Sequence, residues 1–415
     1  MQASKRPASS CSSAPSAPAS KASASSTSRS TGSSETIQKR RLSFTAAVPS
    51  FFRTGLRPGW LVLLTIVPLS GCYYGHLASG QLKLLWRRQP ISEATEDTSH
   101  SEQTRERLRL VGAVREFADE LGLEVGHQYT SYVDWPGDRI VTTLVRTRPD
   151  SLEPVPFWFP FVGRLPYKGY FDRQRAEAEA ERLRHEEDFD VCVSAIPAYS
   201  TLGWLDDPVT SPMLAGGPDR LVETLLHELV HATAFLKGEA DFNESVASFI
   251  GQQATIRFFE THASTPDLPL VDPRRVRDAI ADRQAIAAVV MRFRERLVEI
   301  GNASADGAQR ALAEDRVRAE LAALPLRVLD AQRIAEGVRL SNACLALRGT
   351  YVRDLPRHAR VLAALGGDLG RMIARLRSWA ETGSPVEEFY RVDSGEAPAS
   401  SGTSGEHHGS SEKPS

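Results

Sequence analysis

Leu225-Leu226-His227-Glu228-Leu229-Val230-His231-Ala232 is the stretch from which the rest of the chain is best read. Apolar residues recur around it at helical spacing and predict a helix over Asp219–Leu236. His227 and His231 are four apart, so both imidazoles leave one face of that helix one turn apart. Two neutral ring nitrogens so placed can grip one Zn²⁺. Glu228 projects about 100° further round the helix, where it can reach a metal-bound water without binding the metal. This is the His-Glu-x-x-His arrangement of zinc hydrolases.

A catalytic zinc needs a third protein ligand and an open fourth position for water. The metzincin continuation fails, because Ala234 and Lys237 stand where Gly and His would be required. Glu244, thirteen residues after His231, is the expected third ligand. Its segment, Phe242-Asn-Glu-Ser-Val-Ala247, resembles the Asn-Glu-x-x-Ala element on the second helix of glutamate-ligand zincins, with a shorter spacing than in thermolysin-like enzymes. Asp241-Phe-Asn-Glu244 also reads as a capping box, with Asp241 as N-cap. The two roles are compatible, since a first-turn Glu of a helix facing the first can point at the metal. Glu239, Asp241 and His262 are fallback ligands; His407 and His408 fall in a tail not expected to fold.

Outward from the motif, the C-terminal half reads as helix: Phe242–Phe259, Arg274–Ile300, Ala308–Leu324, Val328–Val352 and Ala359–Ala380. Upstream come a helix from Glu102 to Leu123, strand-like runs at His127–Val133 and Ile140–Arg146, an aperiodic Pro/aromatic segment from Pro149 to Tyr170, a helix over Asp172–Glu187 and a strand over Asp190–Ile196. Ala198 to Pro218 is a loop long enough to be a functional candidate. A small sheet beside a larger helical part makes an α+β, zincin-like architecture.

The net charge of -2 conceals a split. Residues 1–71 hold nine Lys/Arg and one Glu, leaving 41 basic and 51 acidic residues, a net of -10, in the remainder. Nucleic-acid binding is not expected of so acidic a body. Residues 1–52 are dominated by Ser, Ala and Pro and are read as disordered, as is 394–415. Between them, 53–71 reads as an export signal: Arg53 and Arg57, the apolar run Trp60–Leu69, then Ser70-Gly71-Cys72. Leu69-Ser-Gly-Cys72 resembles the bacterial lipoprotein box, in which the Cys carries lipid and becomes the mature N-terminus. That places residues 72–393 as a single domain in the cell envelope, lipid-anchored on the periplasmic side, with the outer membrane as the default destination. The 59 residues before the run point to a start downstream of Met1. Cys192 and Cys344 either pair in an oxidising compartment or stay as buried thiols.

Several segments together resemble the bacterial predicted-aminopeptidase family, a set of zinc peptidases often exported as lipoproteins. They are His227–His231 with Phe242–Ser245, Gly71-Cys-Tyr-Tyr74 leading to Gly80–Leu85, Tyr167–Phe171, and Ala198–Trp204 with Asp207-Pro208. Trp158 and Arg164 stand where that family tends to carry cysteines, and Cys344 departs from an Asn-Ala element at Ser341–Leu345. The resemblance implies peptide-bond hydrolysis with one Zn²⁺ per chain, Glu228 as general base, and an oxyanion donor near the metal. Tyr199 in the long loop is the first candidate donor and Tyr351 the second. An acidic anchor for a substrate amine in a Gly-x-Met-Glu-Asn element is missing, so an endopeptidase of envelope proteins stays open. A non-catalytic envelope lipoprotein with a structural zinc is the alternative from another class.

Overall fold

The computed structural model describes residues 59–160, 163–196, 206–265, 268–269, 271–299 and 307–392, with side chains from Tyr73 onward. The expected tails 1–52 and 394–415, and Tyr199, lie outside the described residues. The chain divides into the units Met1–Leu61 and Val62–Ser415. It is α+β, as the sequence predicts.

Helix α1 (Gly59–Trp86) leads through strand β1 (Gln89–Pro90) into α2 (Ile91–Glu96) and α3 (Glu102–Glu120). No described helix is long and apolar enough to cross a membrane. Strand β2 (Ser131–Val133) pairs antiparallel with β1 and parallel with β8 (Val209–Thr210). The central strand of the second sheet is β3 (Val141–Thr147), antiparallel to β6 (Tyr167–Tyr170) on one side and β7 (Asp190–Ile196) on the other. A two-stranded ladder, β4 (Phe157–Phe159) with β5 (Gly163–Leu165), and β6 occupy the segment read as aperiodic. Strands of three or four residues are too short to display a period of two.

Helix α4 (Arg173–Glu186), capped by Asp172 accepting from Gln174 N at 2.8 Å, covers one face of this sheet through Ala176, Ala180 and Leu183. After the short α5 (Ser211–Ala215) come α6 (Pro218–Thr233), which carries the two histidines, and α7 (Ala240–Thr261). Then follow α8 (Pro273–Glu299), α9 (Gly307–Ala322), α10 (Ala331–Gly337), α11 (Asn342–Val352), α12 (Leu355–Ala364), α13 (Leu369–Thr382) and α14 (Val386–Phe389).

Two expected helices are each divided in the structure. The run Val328–Val352 breaks between α10 and α11, where Val338 and Leu340 turn into the core packed on α8 and α9. Arg318 Nη1 takes the freed Ala335 carbonyl at 2.8 Å, so the break leaves no orphan acceptor there. The run Ala359–Ala380 breaks at Gly366-Gly367, both at φ +75°, a conformation only glycine adopts without strain.

Helix α6 buries Leu221, Val222, Leu225, Leu226, Leu229 and Val230 in the main core. Each such side chain contributes about 1.5–3 kcal/mol. Gly217 at φ +93° turns the chain, and Pro218 opens the helix where its missing N–H is no loss. Helix α7 lies against α6, with Val246, Ile250 and Phe258 in the same core. The second face of the β3 sheet is covered by α11, where Val145 and Cys192 meet Ala343 and Ala346. There Cys192 on β7 and Cys344 on α11 form a disulfide across 152 residues, closing the alternative of two free thiols.

Candidate metal centre

The amphipathic turn of α6 points His227 and His231 away from its leucine face toward α7 and α11. His227 Nε2 and His231 Nε2 stand 3.1 Å apart. Glu244 Oε2, from the second turn of α7, lies 3.3 Å from the first and 3.5 Å from the second. Around a tetrahedral metal with arms of about 2.1 Å, neighbouring donors stand about 3.4 Å apart. The three atoms therefore form one face of such a shell, and among the described residues these three side chains form the group that could hold a metal ion.

Burial tightens the arrangement: the side chains of His227, His231 and Glu244 keep 16%, 4% and 14% of their exposure. Burial alone would raise the Glu244 pKa, but the two imidazoles hold it well below the usual carboxylate range. For His231 burial opposes protonation, yet the Glu244 carboxylate outweighs it and lifts the imidazole above its ordinary value. This is a two-imidazole, one-carboxylate donor set suited to a borderline cation. His231 Nδ1 is sealed from solvent with no hydrogen-bond partner among the described residues, whereas a ligating His usually donates from that atom to an outer acceptor.

The second helix reaches the site by a different route from the one its sequence suggests. The capping box does not form: α7 begins at Ala240 with Glu239 as N-cap, and no side chain caps it. Asp241 instead pairs with Arg353 at 3.3 Å, leaving Glu244 free to face the histidines. Asn243 supplies the fastening. Its Nδ2 donates to Leu236 O at 2.7 Å and its Oδ1 accepts from Leu236 N at 3.0 Å, bracketing the end of the α6 segment to α7. Ser245 Oγ donates to Phe242 O at 3.1 Å and lies 3.0 Å from Nε2 of the fully buried His358. Of the fallback ligands, Glu239 is exposed, and His262 turns its Nδ1 to Phe258 O at 2.9 Å. His407 and His408 lie outside the described residues.

Glu228 is half-buried and makes no hydrogen bond or ion pair among the described residues. Its charge is nevertheless felt by Tyr129, Tyr167 and Tyr351. Tyr351 is the residue whose place the sequence understated. Its ring is stacked on that of His227, with centroids 6.3 Å apart and planes at 28°. Burial first, then Glu244, Tyr167 and Glu228, push its phenol well above the ordinary value, so it stays a proton donor at neutral pH. Tyr167 is raised for the same kinds of reason: burial, then Glu244 and Glu228. It reaches the site because β6 pairs it with Val145 on the α11 face of the sheet. The Tyr167–Phe171 segment was the available sequence signal for it.

No curated protein and no solved structure matched the chain. A family model did, described as "Putative aminopeptidase", over residues 72–388, which takes in the α6 histidines, Glu244 and Tyr351. By that match, covering most of its length, the chain belongs to this aminopeptidase family.

Proposed function

We propose that the protein is an exported, zinc-dependent peptidase, with His227, His231 and Glu244 holding the ion and Glu228 serving as general base. One observation carries the reading: three donor atoms at tetrahedral spacing with a carboxylate, unpaired among the described residues, one residue from His227. When bound, the ion supplies a Lewis acid and makes water acidic enough to attack near neutral pH. Glu228 takes the proton of the attacking water and passes it to the leaving amine. Tyr351, kept protonated by burial, donates to the carbonyl oxygen as negative charge develops there. Tyr199, outside the described residues, is the competing donor.

A purely structural zinc is less well supported, because such a site has no use for an unpaired carboxylate at Glu228. Export rests on the basic flank, apolar run and small residues ending at Cys72, whose side chain lies outside the described residues. On this reading Cys72 carries the lipid that holds the protein in the envelope, and the substrate is a peptide or an envelope protein.

The test is Glu228→Gln in the full chain. Metal content by mass spectrometry should stay near one zinc per chain, while hydrolysis of a peptide library falls by more than about a thousandfold. Full activity in the variant removes Glu228 as the base. Palmitate labelling lost in Cys72→Ser tests the anchor.

A further inference from the structure

Burial lowers the pKa of four arginines in this fold, and three of them have partners. Arg115 donates to Gln128 O at 2.8 Å and Gly126 O at 2.9 Å, Arg146 reaches Glu187 at 3.5 Å, and Arg283 pairs with Glu223. The fourth, Arg348, has no hydrogen bond, ion pair or aromatic face among the described residues. Burial is the first cause of its lowered pKa and the like charge of Arg339 the second. Arg339 is exposed and donates to Val193 O of β7. A guanidinium partly stripped of water and given no acceptor is costly to keep. Arg348 as a whole keeps part of its exposure to solvent.

Its position gives the cost a use. Arg348 stands three residues before Tyr351 on α11, so the two side chains leave the same helix face with Cβ atoms about 5–6 Å apart. Tyr351 is in turn stacked on His227. The arginine therefore shares the α11 face that carries Tyr351 to the donor triangle. We propose that Arg348 is the anchor for a carboxylate of the peptide substrate, on the α11 face that carries Tyr351. This rests on the peptidase reading of the same site and adds the substrate class: peptides bearing a carboxylate close to the cleaved bond. The body is otherwise acidic, net -10 beyond residue 71, and repels such a group; an uncompensated arginine on the helix face of Tyr351 is what reverses that locally. The carboxylate has two chemical sources, the free C-terminus of a short peptide or an Asp/Glu side chain.

The experiment uses the full chain loaded with zinc and two peptide pairs. One is a tripeptide as free acid against its C-terminal amide; the other is an amidated pentapeptide carrying Glu against Gln after the cleaved bond. The wild type should prefer the carboxylate member of one pair by about ten- to a hundredfold in kcat/KM. Arg348→Gln should bring that ratio close to one, with Arg348→Lys in between, and the pair affected names the source. A ratio near one in the wild type, or unchanged in Arg348→Gln with normal circular dichroism, overturns the proposal. Calorimetric binding of the same peptides to Glu228→Gln and to Glu228→Gln/Arg348→Gln separates the two readings. A carboxylate preference that depends on Arg348 without any turnover in the parent protein would fail the peptidase reading alone. Turnover in the parent with indifferent binding would fail the anchor alone.

Discussion

A Cβ built on Gly251 of α7 would stand 3.2 Å from the backbone nitrogen of His227 and 3.3 Å from its Cα and Cβ. The two helices of the site thus approach closely at His227, and a glycine there lets them. Alanine would favour the helix by about 1 kcal/mol but must push α6 outward, a cost of about 1–3 kcal/mol. We expect Gly251→Ala to change the urea midpoint little and to weaken zinc affinity about tenfold, as loss of supporting contacts does. Unaltered affinity in a chelator competition would show that α6 can shift without moving its imidazole.

Removal of the third ligand should act on the metal first. In Glu244→Ala, two imidazoles are left to hold the ion. Affinity should fall by more than about a hundredfold, beyond the range for supporting residues. Competition with a fluorescent zinc chelator measures it. Retention of wild-type affinity would mean that some other residue closes the shell.

The two candidate tyrosines separate by kinetics. Tyr351→Phe should keep zinc and fold but lower kcat by about a hundredfold, the size expected for one oxyanion donor. Tyr199→Phe should do much less. The opposite ranking would return the role to the long loop.

His358 gives the fold an acid-sensitive point. Burial first and Arg357 second lower its pKa to about 3, and it sits beside Ser245 and Tyr390 with a free Nδ1. The folded value lies below the unfolded value of about 6.5, so on acidification the unfolded chain takes up the proton first. Stability from this group is complete above about pH 6.5 and is lost progressively toward pH 3, by several kcal/mol over the whole span. Urea midpoints at pH 7.5 and 4.5 should differ less in His358→Phe than in the wild type. Parallel curves for the two proteins would contradict this.

The Cys192–Cys344 bond closes a loop of 152 residues and fastens α11 to β7. Cys344→Ser, or full reduction, should cost about 2–4 kcal/mol of unfolding free energy. Tyr351 rides on the same helix, so activity should fall with the melting temperature rather than after it. An unshifted melt in reducing buffer would mean that packing on Ala343 and Ala346 suffices.

How much of this was legible beforehand depended on how local each interaction is. The two α6 histidines follow from a four-residue spacing inside one helix, and the structure brings them together; the Asp190–Ile196 strand, read from alternation, keeps its bounds. Glu244 was visible through its neighbours Asn243 and Ser245, but its expected cap with Asp241 was not formed. A local pattern lost there to a partner 112 residues away, Arg353. Tyr351 and Arg348 carry no local pattern at all. Their place is set by where α11 lands on a sheet formed some 150 residues earlier, which no periodicity encodes. The division of Val328–Val352 was foreshadowed by Gly337 and Ser341, yet a continuous apolar rhythm hid it.

The Asn243 bracket on Leu236 has one more consequence, for the chain between the two helices. His231 and Glu244 are registered by two hydrogen bonds that bypass residues 237–239, so the thirteen-residue interval between them does not measure their distance in space. Lys237-Gly238-Glu239 is an exposed turn, closed by Glu239 N donating to Leu236 O at 3.3 Å. Changing Asn243 alone would unfasten both backbone groups of Leu236 at once.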